Sequence, residues 1–476
     1  MKDANIPPGA FAFGIAADTG LPLEGLAPAD LPALMQGGDP QQSLGNVVTS
    51  KLVLRGRGHF GLVSDCNPDD LSQAGWGLIF AAEIDSVPLR EALAPLIALR
   101  QSEAGRHFRI FDGEDGYQNG ESANDWLERH GASLNLIDPD YGVPFYLAIV
   151  GAPSQIPFSF QYSLDLVAAV GRIDFRTEDE YRQYAQNVVA FESDSTVSTR
   201  RDIAMFATRH DFDAATQLFT DQVAMPLALG DGTKPALGSQ YGFKVKRYFE
   251  EAASKKNLQA ILRGEDGTPS ILFTGTHGMA FKSGDERQAD SQGALVCADW
   301  PGVPPIDQSH WFAASDVPDD AKVSGLIHFF FACYGAGTPE MDNFNQLGTA
   351  KKIAPSAMTA RLPQVLMTRG ALASLGHIDK AWASSFQSAG GSPQTQGFRN
   401  VIGLLMKGMR VGYATDMLNA QWGTLSTQLA ALLERRASNL SVDESRLLST
   451  WIARDDARNY VILGDPAVKL RPEPLT

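Results

Sequence analysis

The sequence predicts an α/β protein whose sheet is mainly parallel and carries helices on both faces. One observation is a set of short, mainly apolar segments, such as Tyr146–Val150 and Ile271–Gly275, that are typical of strands buried on both faces of a sheet. Another is that segments with helical spacing, such as 178–192 after the capping residue Thr177, alternate with these strands. This alternation favours parallel strands, because each helix provides the crossover between two of them.

The predicted elements follow an N-terminal arm. Residues 1 to about 45 are rich in Pro, Gly, Ala and Asp, so we expect a mostly irregular arm, either packed on the body of the protein or a disordered tail. The predicted strands are 76–84, 108–111, 146–151, 167–172, 203–207, 244–248, 271–275, 325–332 and 370–375. The predicted helices are 89–101, 122–130, 178–192, 214–227, 258–263 and 398–418.

The charge balance restricts the classes of partner. The chain of 476 residues carries 40 Lys and Arg against 55 Asp and Glu, a formal net charge of −15. Such a surface repels phosphate backbones and favours basic peptide segments, so we expect no nucleic-acid partner. No window approaches about 18 uninterrupted apolar residues, and the N-terminus lacks the apolar run of a signal peptide. We therefore expect a cytoplasmic protein that does not enter a membrane.

The cysteines are few and far apart. Cys66, Cys297 and Cys333 form no CxxC pair and are odd in number, which argues against a disulfide framework and a structural zinc site. A reducing compartment is the natural expectation. Cys297 lies in an apolar segment and is expected to be a buried structural thiol. We expect no cofactor and no catalytic metal, while the abundant carboxylate loops leave a structural calcium ion open as an alternative.

Two predicted strands end in residues that can carry out chemistry. His277 and Gly278 follow the strand 271–275, and Cys333 follows the strand 325–332 before a glycine-rich turn. Because reactive groups gather at the carboxyl ends of parallel strands, the two side chains can share one substrate carbonyl. The thiolate is then the nucleophile and the imidazole the general acid and base. The N–H groups of Gly278 and Cys333 are candidates for an oxyanion hole.

The same pattern has other interpretations. A single cysteine after an apolar strand is often a small buried hydrophobe, and a single histidine at a strand end is often structural. Because both His277 and Cys333 lie in glycine-flanked turns, a chance occurrence of two structural residues is less credible. On this pattern alone, a catalytic role and a structural role for the pair are about equal alternatives. A thiol amidase or acyltransferase on another α/β fold and a non-catalytic interaction or regulatory module are the competing functions.

A resemblance to a known family favours peptide hydrolysis. The motifs Thr-Gly-Thr-His-Gly at 274–278 and Phe-Ala-Cys-Tyr-Gly at 331–335 are similar to the histidine and cysteine turns of gingipains, caspases and their relatives. The segments 147–151, 170–172, 373–384 and 461–467 match the same group in order. The resemblance covers about residues 145–471. It implies a caspase-like fold and a cysteine endopeptidase that acts through an acyl-enzyme at Cys333.

The resemblance also implies a division of the chain. Residues 106–200 would form a first α/β subdomain and residues 201–476 the caspase-like catalytic domain, while residues 1–105 are an arm and small region of unassigned role. Unlike secreted gingipains, the sequence shows no signal peptide. A regulated intracellular cut, in bacterial defence or cell death, therefore fits better than extracellular digestion.

Candidate pocket residues come from the same resemblance. The turn after the strand 203–207 would line the pocket for the residue before the scissile bond or orient the catalytic histidine, which makes Asp211 and Asp213 candidates for either role. A solvated loop is an equal alternative for each of them. Asp379, with Trp382, could hold a basic side chain. These acids favour cleavage after Arg or Lys. Arg209 points the other way, because a free guanidinium in the pocket would select an acidic residue.

The expected partners are proteins. The substrate would be a protein cut at an exposed loop, and an activating protease or an inhibitor would control the enzyme. The basic, glycine-rich stretch 54–60 is a candidate processing site, with a solvated turn as the alternative. Its Gly-x-Gly spacing lacks the helix and acidic residue that a dinucleotide site needs.

Overall fold

A computed structural model describes residues 12–23, 61–194, 199–344, 351–388 and 390–472. The strands in these ranges are β1 (Gly14–Ala16), β2 (Trp76–Ile79), β3 (Phe108–Phe111), β4 (Tyr146–Val150), β5 (Ala169–Ile173), β6 (Asp202–Ala207), β7 (Lys244–Phe249), β8 (Ile271–Gly275), β9 (Gly278–Ala280), β10 (Leu295–Val296), β11 (Trp311–Phe312), β12 (Ile327–Phe331), β13 (Gly337–Thr338), β14 (Met358–Thr359), β15 (Ala373–His377) and β16 (Tyr460–Gly464).

The helices flank these strands. They are α1 (Leu71–Ala74), α2 (Val87–Ala92), α3 (Ala94–Ala104), α4 (Ala123–Arg129), α5 (Phe158–Leu164), α6 (Glu178–Ser193), α7 (Ala214–Phe219), α8 (Met225–Leu229), α9 (Leu237–Tyr241), α10 (Lys255–Arg263), α11 (Gln288–Ser291), α12 (Arg361–Thr368), α13 (Gln396–Met406), α14 (Val411–Ala437) and α15 (Glu444–Arg458). Within the described ranges, none of them combines the length and apolarity that crossing a bilayer would require.

One ten-stranded sheet organises the molecule, in the order β3-β2-β4-β5-β16-β15-β12-β8-β6-β7. Neighbouring strands are parallel except at β15 and β16, which pair antiparallel with Leu375 opposite Ile462. The sheet therefore consists of two parallel halves that run in opposite directions. The carboxyl ends of β6, β8, β12 and β15 consequently lie at one edge. The predicted α/β class, with a mainly parallel sheet flanked by helices, is confirmed.

Local signals explain several helix boundaries. Thr177 caps α6 by accepting a hydrogen bond from the Glu180 N–H at 3.3 Å. The predicted helix 89–101 is two helices in the structure, because Pro95, the second residue of α3, has no N–H to continue the hydrogen bonding of α2. The predicted helix 398–418 is also divided. Gly408 adopts a φ of +77° between α13 and α14, a conformation that glycine tolerates and other residues rarely adopt.

Part of the N-terminal arm lies in a second, smaller sheet. Its order is β1-β9-β10-β11, and β1 pairs parallel with β9 so that Gly14 is opposite Gly278. Residues 12–23 are the part of the arm that the structure describes. The candidate processing stretch 54–60 lies outside the described residues. The strand β1 thus meets the main body next to the turn that carries His277.

A buried ion cluster holds the turn after β16. Asp465 accepts hydrogen bonds from Arg100 Nε at 2.7 Å and from Trp76 Nε1 at 2.9 Å. Arg100 also pairs with Glu192 at 2.6 Å. The Arg100 and Asp465 side chains are completely buried. The cluster therefore ties α3 and α6 to the Gly-Asp-Pro turn at 464–466.

Replacing Asp465 should destabilise the fold. We expect Asp465→Ala to lower the free energy of unfolding by about 3 kcal/mol or more, because it leaves buried donors without an acceptor. Asp319→Ala is the matched control, since Asp319 pairs with Arg369 on the surface and should cost about 0–1 kcal/mol. Urea unfolding followed by circular dichroism measures both. Equal losses in the two variants would contradict the structural role of the cluster.

Candidate active site

The strand register places His277 and Cys333 side by side. Phe331 at the end of β12 is opposite Gly275 at the end of β8. His277 and Cys333 each follow that pair by two residues, so both leave the sheet at the same level. The Thr276 N–H donates to the Phe331 carbonyl at 3.1 Å and holds these two segments together beyond the ends of the strands. Both side chains are completely buried.

Asp213 fixes the orientation of His277. Asp213 Oδ2 lies 2.8 Å from His277 Nε2 and also accepts a hydrogen bond from the Thr216 N–H at 3.1 Å, as the N-cap of α7. Burial raises the pKa of Asp213, but His277 and the hydrogen bonds from Thr216 outweigh it and hold this pKa well below its usual range. Asp213 is therefore a carboxylate at neutral pH. Because a carboxylate only accepts, the proton lies on Nε2 when the imidazole is neutral.

The other nitrogen of His277 is available for proton transfer. Nδ1 is buried and has no hydrogen-bond partner among the described residues. With the proton on Nε2, Nδ1 carries the free lone pair of the neutral ring. It is the atom that can accept a proton from a thiol and return it to a leaving group. A carboxylate, an imidazole and a thiol thus occur together, as in a cysteine-dependent catalytic site.

The thiol of Cys333 is enclosed. Its Sγ accepts a hydrogen bond from the Ala381 N–H at 3.3 Å. Burial raises the pKa of the Cys333 thiol, and the hydrogen bond from Ala381 only partly offsets that effect. The thiol is therefore protonated at neutral pH in this arrangement. Reaction requires a partner that takes the proton, which is the role that His277 Nδ1 can fill.

The turn after Cys333 has an unusual backbone conformation. Tyr334 has a φ of 60°, in the left-handed region that a residue with a side chain rarely adopts. Its N–H donates to the Asp379 carbonyl at 2.9 Å, which holds the turn in place. Such strain costs about 1–3 kcal/mol and is often found at functional sites. The tight turn leaves Cys333 at its apex.

Two N–H groups converge beside the thiol. The N–H of Gly278 and the N–H of Cys333 donate to one carbonyl oxygen, that of Phe13, at 2.8 Å and 2.9 Å. A side chain at position 278 is impossible without a shift, because a Cβ there would lie 1.9 Å from the Cys333 carbonyl oxygen. These distances match the range of about 2.7–3.1 Å expected for donors of an oxyanion hole. The pair of donors that the sequence suggested therefore shares one acceptor.

Arg209 and Asp211 lie at the surface. Arg209 pairs with Asp221 at 3.0 Å and with Asp211 at 3.2 Å. The Asp211 side chain is 95% exposed. The structure does not bring these two side chains to Cys333, whereas Asp213, from the same turn, contacts His277. Of the roles that the sequence left open for Asp213, orientation of the histidine has a contact to support it.

Asp379 and Trp382 lie close to Cys333, but their side chains contact other residues of the protein. Asp379 is buried, and its carboxylate accepts hydrogen bonds from Asn343 Nδ2 and from the Lys380 N–H, both at 2.8 Å. Burial raises the pKa of Asp379 to about 6. The ring of Trp382 packs 5.0 Å from that of Phe344, measured between centroids. Asp379 and Trp382 therefore support the loop that carries Ala381.

A cavity of about 530 Å³ adjoins the turn of Cys333. It is lined by, among others, Leu23, Ala280, Tyr334, Phe344 and Trp382.

The described residues contain no group of three His, Cys, Asp or Glu side chains that could hold a metal ion. Cys297 is buried away from solvent, with its Sγ 3.5 Å from the Leu295 carbonyl oxygen.

Comparisons with known proteins give likenesses among solved structures. No family model and no curated protein sequence matches the chain. Gingipain R, an Arg-specific cysteine proteinase, is 12% identical, with 84% of this chain and 78% of that chain covered and a TM-score of 0.44. The complex of the RgpB pro- and mature domains from Porphyromonas gingivalis is 12% identical, with 83% and 80% covered and a TM-score of 0.45.

A yeast complex shows a more distant likeness. The separase–securin complex of Saccharomyces cerevisiae is 10% identical, with 70% of this chain and 16% of that chain covered and a TM-score of 0.33. The catalytic interpretation therefore rests on the contacts within this chain.

Two participants of the site do not follow from the sequence. Ala381 acts through its backbone, which contacts both the thiol and the arm, and no side-chain pattern marks such a residue. Phe13 lies in an apolar patch of the arm, 11–14, that is visible in the sequence. Nothing local in that patch indicates that it pairs with residues more than two hundred positions away.

Proposed function

We propose that the protein is a cysteine endopeptidase that hydrolyses peptide bonds through a thioester on Cys333. One observation carries the proposal: the N–H groups of Gly278 and Cys333 converge on a peptide carbonyl beside the thiol. The adjacent strand end presents His277, which is oriented by Asp213. A nucleophile, a base with its orienting group and an oxyanion site are the parts that acyl transfer needs.

The proposed reaction uses these parts in sequence. Cys333 Sγ transfers its proton to His277 Nδ1 and attacks the substrate carbonyl carbon, and the oxygen becomes an oxyanion held by the two N–H groups. His277 then protonates the leaving amine as the C–N bond breaks. Water, deprotonated by His277, attacks the thioester carbon and the C–S bond breaks. His277 returns the proton to the leaving Cys333 thiolate as the acid is released. Asp213 remains a carboxylate and stabilises the imidazolium that forms in each half of the reaction.

We also propose a class of substrate and a role for the enzyme. The substrate would be a protein cut at an exposed loop, in a regulated role inside the cell such as defence or cell death. Cleavage after Arg or Lys stays a prediction and needs a carboxylate that faces the substrate. Asp213 forms a hydrogen bond with His277, and Asp379 forms one with Asn343. Neither carboxylate therefore has a contact that supports a preference for Arg or Lys.

Substrate mapping tests the proposed function. The full chain is incubated with casein and with an unbiased peptide library, and the cut sites are identified by mass spectrometry. We expect discrete cuts that are absent with Cys333→Ala. Gly14→Val is included because Gly14 lies against Cys333, and a larger side chain there should displace the arm from the thiol. If neither wild type nor Gly14→Val cuts any substrate, a non-catalytic interaction module becomes the better interpretation.

Chelation should leave the activity intact. The proposed steps use a thiol, an imidazole and two N–H groups, so we expect kcat/KM to change by less than about twofold in EDTA. The measurement compares the rate of casein hydrolysis before and after dialysis against EDTA. Loss of activity that zinc restores would contradict the mechanism and indicate a metallohydrolase.

A further inference from the structure

The arm crosses the candidate active site in an extended conformation. The Phe13 N–H donates to the Ala381 carbonyl at 2.9 Å, and Ala12 forms an antiparallel bridge with Trp382. After Phe13 the chain continues as β1, which pairs parallel with β9. The arm is therefore bound through its backbone on both sides of Cys333. Extended peptides bind to the edges of protein sheets by the same main-chain pairing.

One peptide bond of the arm lies over the catalytic cysteine. The Phe13 carbonyl oxygen accepts hydrogen bonds from Gly278 and Cys333, the two donors of the proposed oxyanion hole. Gly14, the next residue, lies against the thiol, since a Cβ there would be 3.1 Å from Cys333 Sγ. The Phe13–Gly14 bond thus occupies the place of the bond that the enzyme would cleave.

The side chain before that bond fills an aromatic pocket. Phe13 is completely buried. Its ring centroid lies 4.8 Å from that of Phe331, 5.8 Å from Phe386 and 5.9 Å from Phe219 and from His277. Three of these contacts are edge-on, an arrangement that aromatic rings favour. A carboxylate in the same place would lose its water without gaining a hydrogen-bond donor from these rings. A guanidinium would lose its water as well and would gain only cation–π contacts from them, without the carboxylate partner of an Arg-specific pocket.

We propose that residues 12–16 lie in the cleft as a peptide substrate does, and that the site takes peptides with a large apolar residue, Phe above all, directly before the scissile bond. Phe219, Phe331 and Phe386 form the pocket for that side chain. The arm competes with substrate for the cleft. The proposal rests on the proposed peptidase function, and it differs from the preference for Arg or Lys that the acidic residues of the sequence suggest.

A matched substrate series tests the pocket. Fluorogenic peptides that differ only in the residue before the reporter, with Phe, Leu, Arg, Lys or Asp there, are assayed with full-length wild type and Gly14→Val. We expect kcat/KM for Phe to exceed that for Arg, Lys and Asp by at least about tenfold, because pocket contacts of this size discriminate to that extent. Higher kcat/KM for Arg, Lys or Asp than for Phe would overturn the proposed pocket.

The reactivity of the thiol tests occupancy of the cleft without any need for catalysis. Iodoacetamide labelling of each cysteine is followed by mass spectrometry in wild type, Phe13→Asp, Gly14→Val and Leu21→Asp. Displacement of the arm should raise the labelling rate of Cys333 by at least about tenfold in the first two variants. Leu21→Asp adds the same charge to the same segment at a residue that is 50% exposed, and its labelling rate should equal that of wild type.

Cys297 reports whether each variant is folded. It is buried in the protein and should stay unlabelled as long as the protein is folded. If labelling of Cys297 shows that Phe13→Asp or Gly14→Val has lost its fold, the result for the other of these two variants decides whether the arm occupies the cleft. Unchanged labelling of Cys333 in a folded variant would overturn occupancy by the arm. If Cys333 labelling rises but no substrate is cut, the proposed peptidase function fails while the position of the arm stands.

Discussion

Cys333→Ala should abolish peptide hydrolysis, with a fall in kcat/KM of at least about 10⁴-fold. The nucleophile has no substitute in the site, because Ala381 contributes only backbone groups and the oxyanion donors cannot form a covalent bond. His277→Ala should be nearly as damaging, since the thiol is buried and needs Nδ1 to take its proton. The double variant should be no worse than either single variant, because groups that act as a unit are not additive. Kinetics on the best substrate measure all three.

Cys297→Ala is the matched control for this prediction. Cys297 is a second buried thiol, and burial raises its pKa as it does for Cys333. Both alanine variants should lower the free energy of unfolding by about 1 kcal/mol. Only Cys333→Ala should lose activity. Turnover near the wild-type rate in Cys333→Ala would remove the basis of the proposed mechanism.

The strand pattern could be predicted because its causes are local. Mainly apolar runs such as Ile271–Gly275 and Ile327–Phe331 are buried along their whole length, as is typical of strands covered on both faces. Breaks within helices were less predictable. Pro95 and Gly408 were visible in the sequence, but a proline can also start a helix and a glycine can lie within one. Their effect depended on where the chain had to turn against the sheet.

The candidate site shows where local patterns stop being informative. The sequence placed His277 and Cys333 after strands, but the pairing of Phe331 with Gly275, which sets them at one level, is a long-range register. Asp213 had two possible roles because a turn residue can face a pocket or a neighbouring side chain with the same sequence. Phe331 reads as a core residue of β12, and only its contact with Phe13 gives it a place in a binding pocket.

Asp213 explains why that turn matters for chemistry as well as for folding. Its carboxylate accepts from the Thr216 N–H at the start of α7 and from His277 Nε2. The first contact stabilises a helix end, and the second selects the tautomer that leaves Nδ1 free. An asparagine side chain also caps helices well, but it can present either an oxygen or an N–H to the imidazole. The two functions of Asp213 can therefore be separated by substitution.

Asp213→Asn should lower kcat by about 10²–10⁴-fold with little change in KM, because the imidazole can adopt the wrong tautomer while the peptide still binds. Asp213→Ala should lower kcat similarly and in addition cost about 1 kcal/mol of stability from the lost cap. Steady-state kinetics and urea unfolding of the two variants measure these effects. A rise in KM with kcat unchanged would place Asp213 in substrate binding instead.

The pH dependence of stability gives a second measure of the Asp213 carboxylate. The pKa of Asp213 is lower in the folded protein than in the unfolded chain, so the charged form stabilises the fold above the unfolded pKa of about 4. This contribution is lost as the pH falls through the folded pKa, when the carboxylate takes up a proton. The stability difference between wild type and Asp213→Asn should therefore be constant near neutral pH and shrink below about pH 4. If the difference stays the same throughout the acid range, the carboxylate is not held in its charged form by His277 and Thr216, and the tautomer of His277 has no fixed orienting partner.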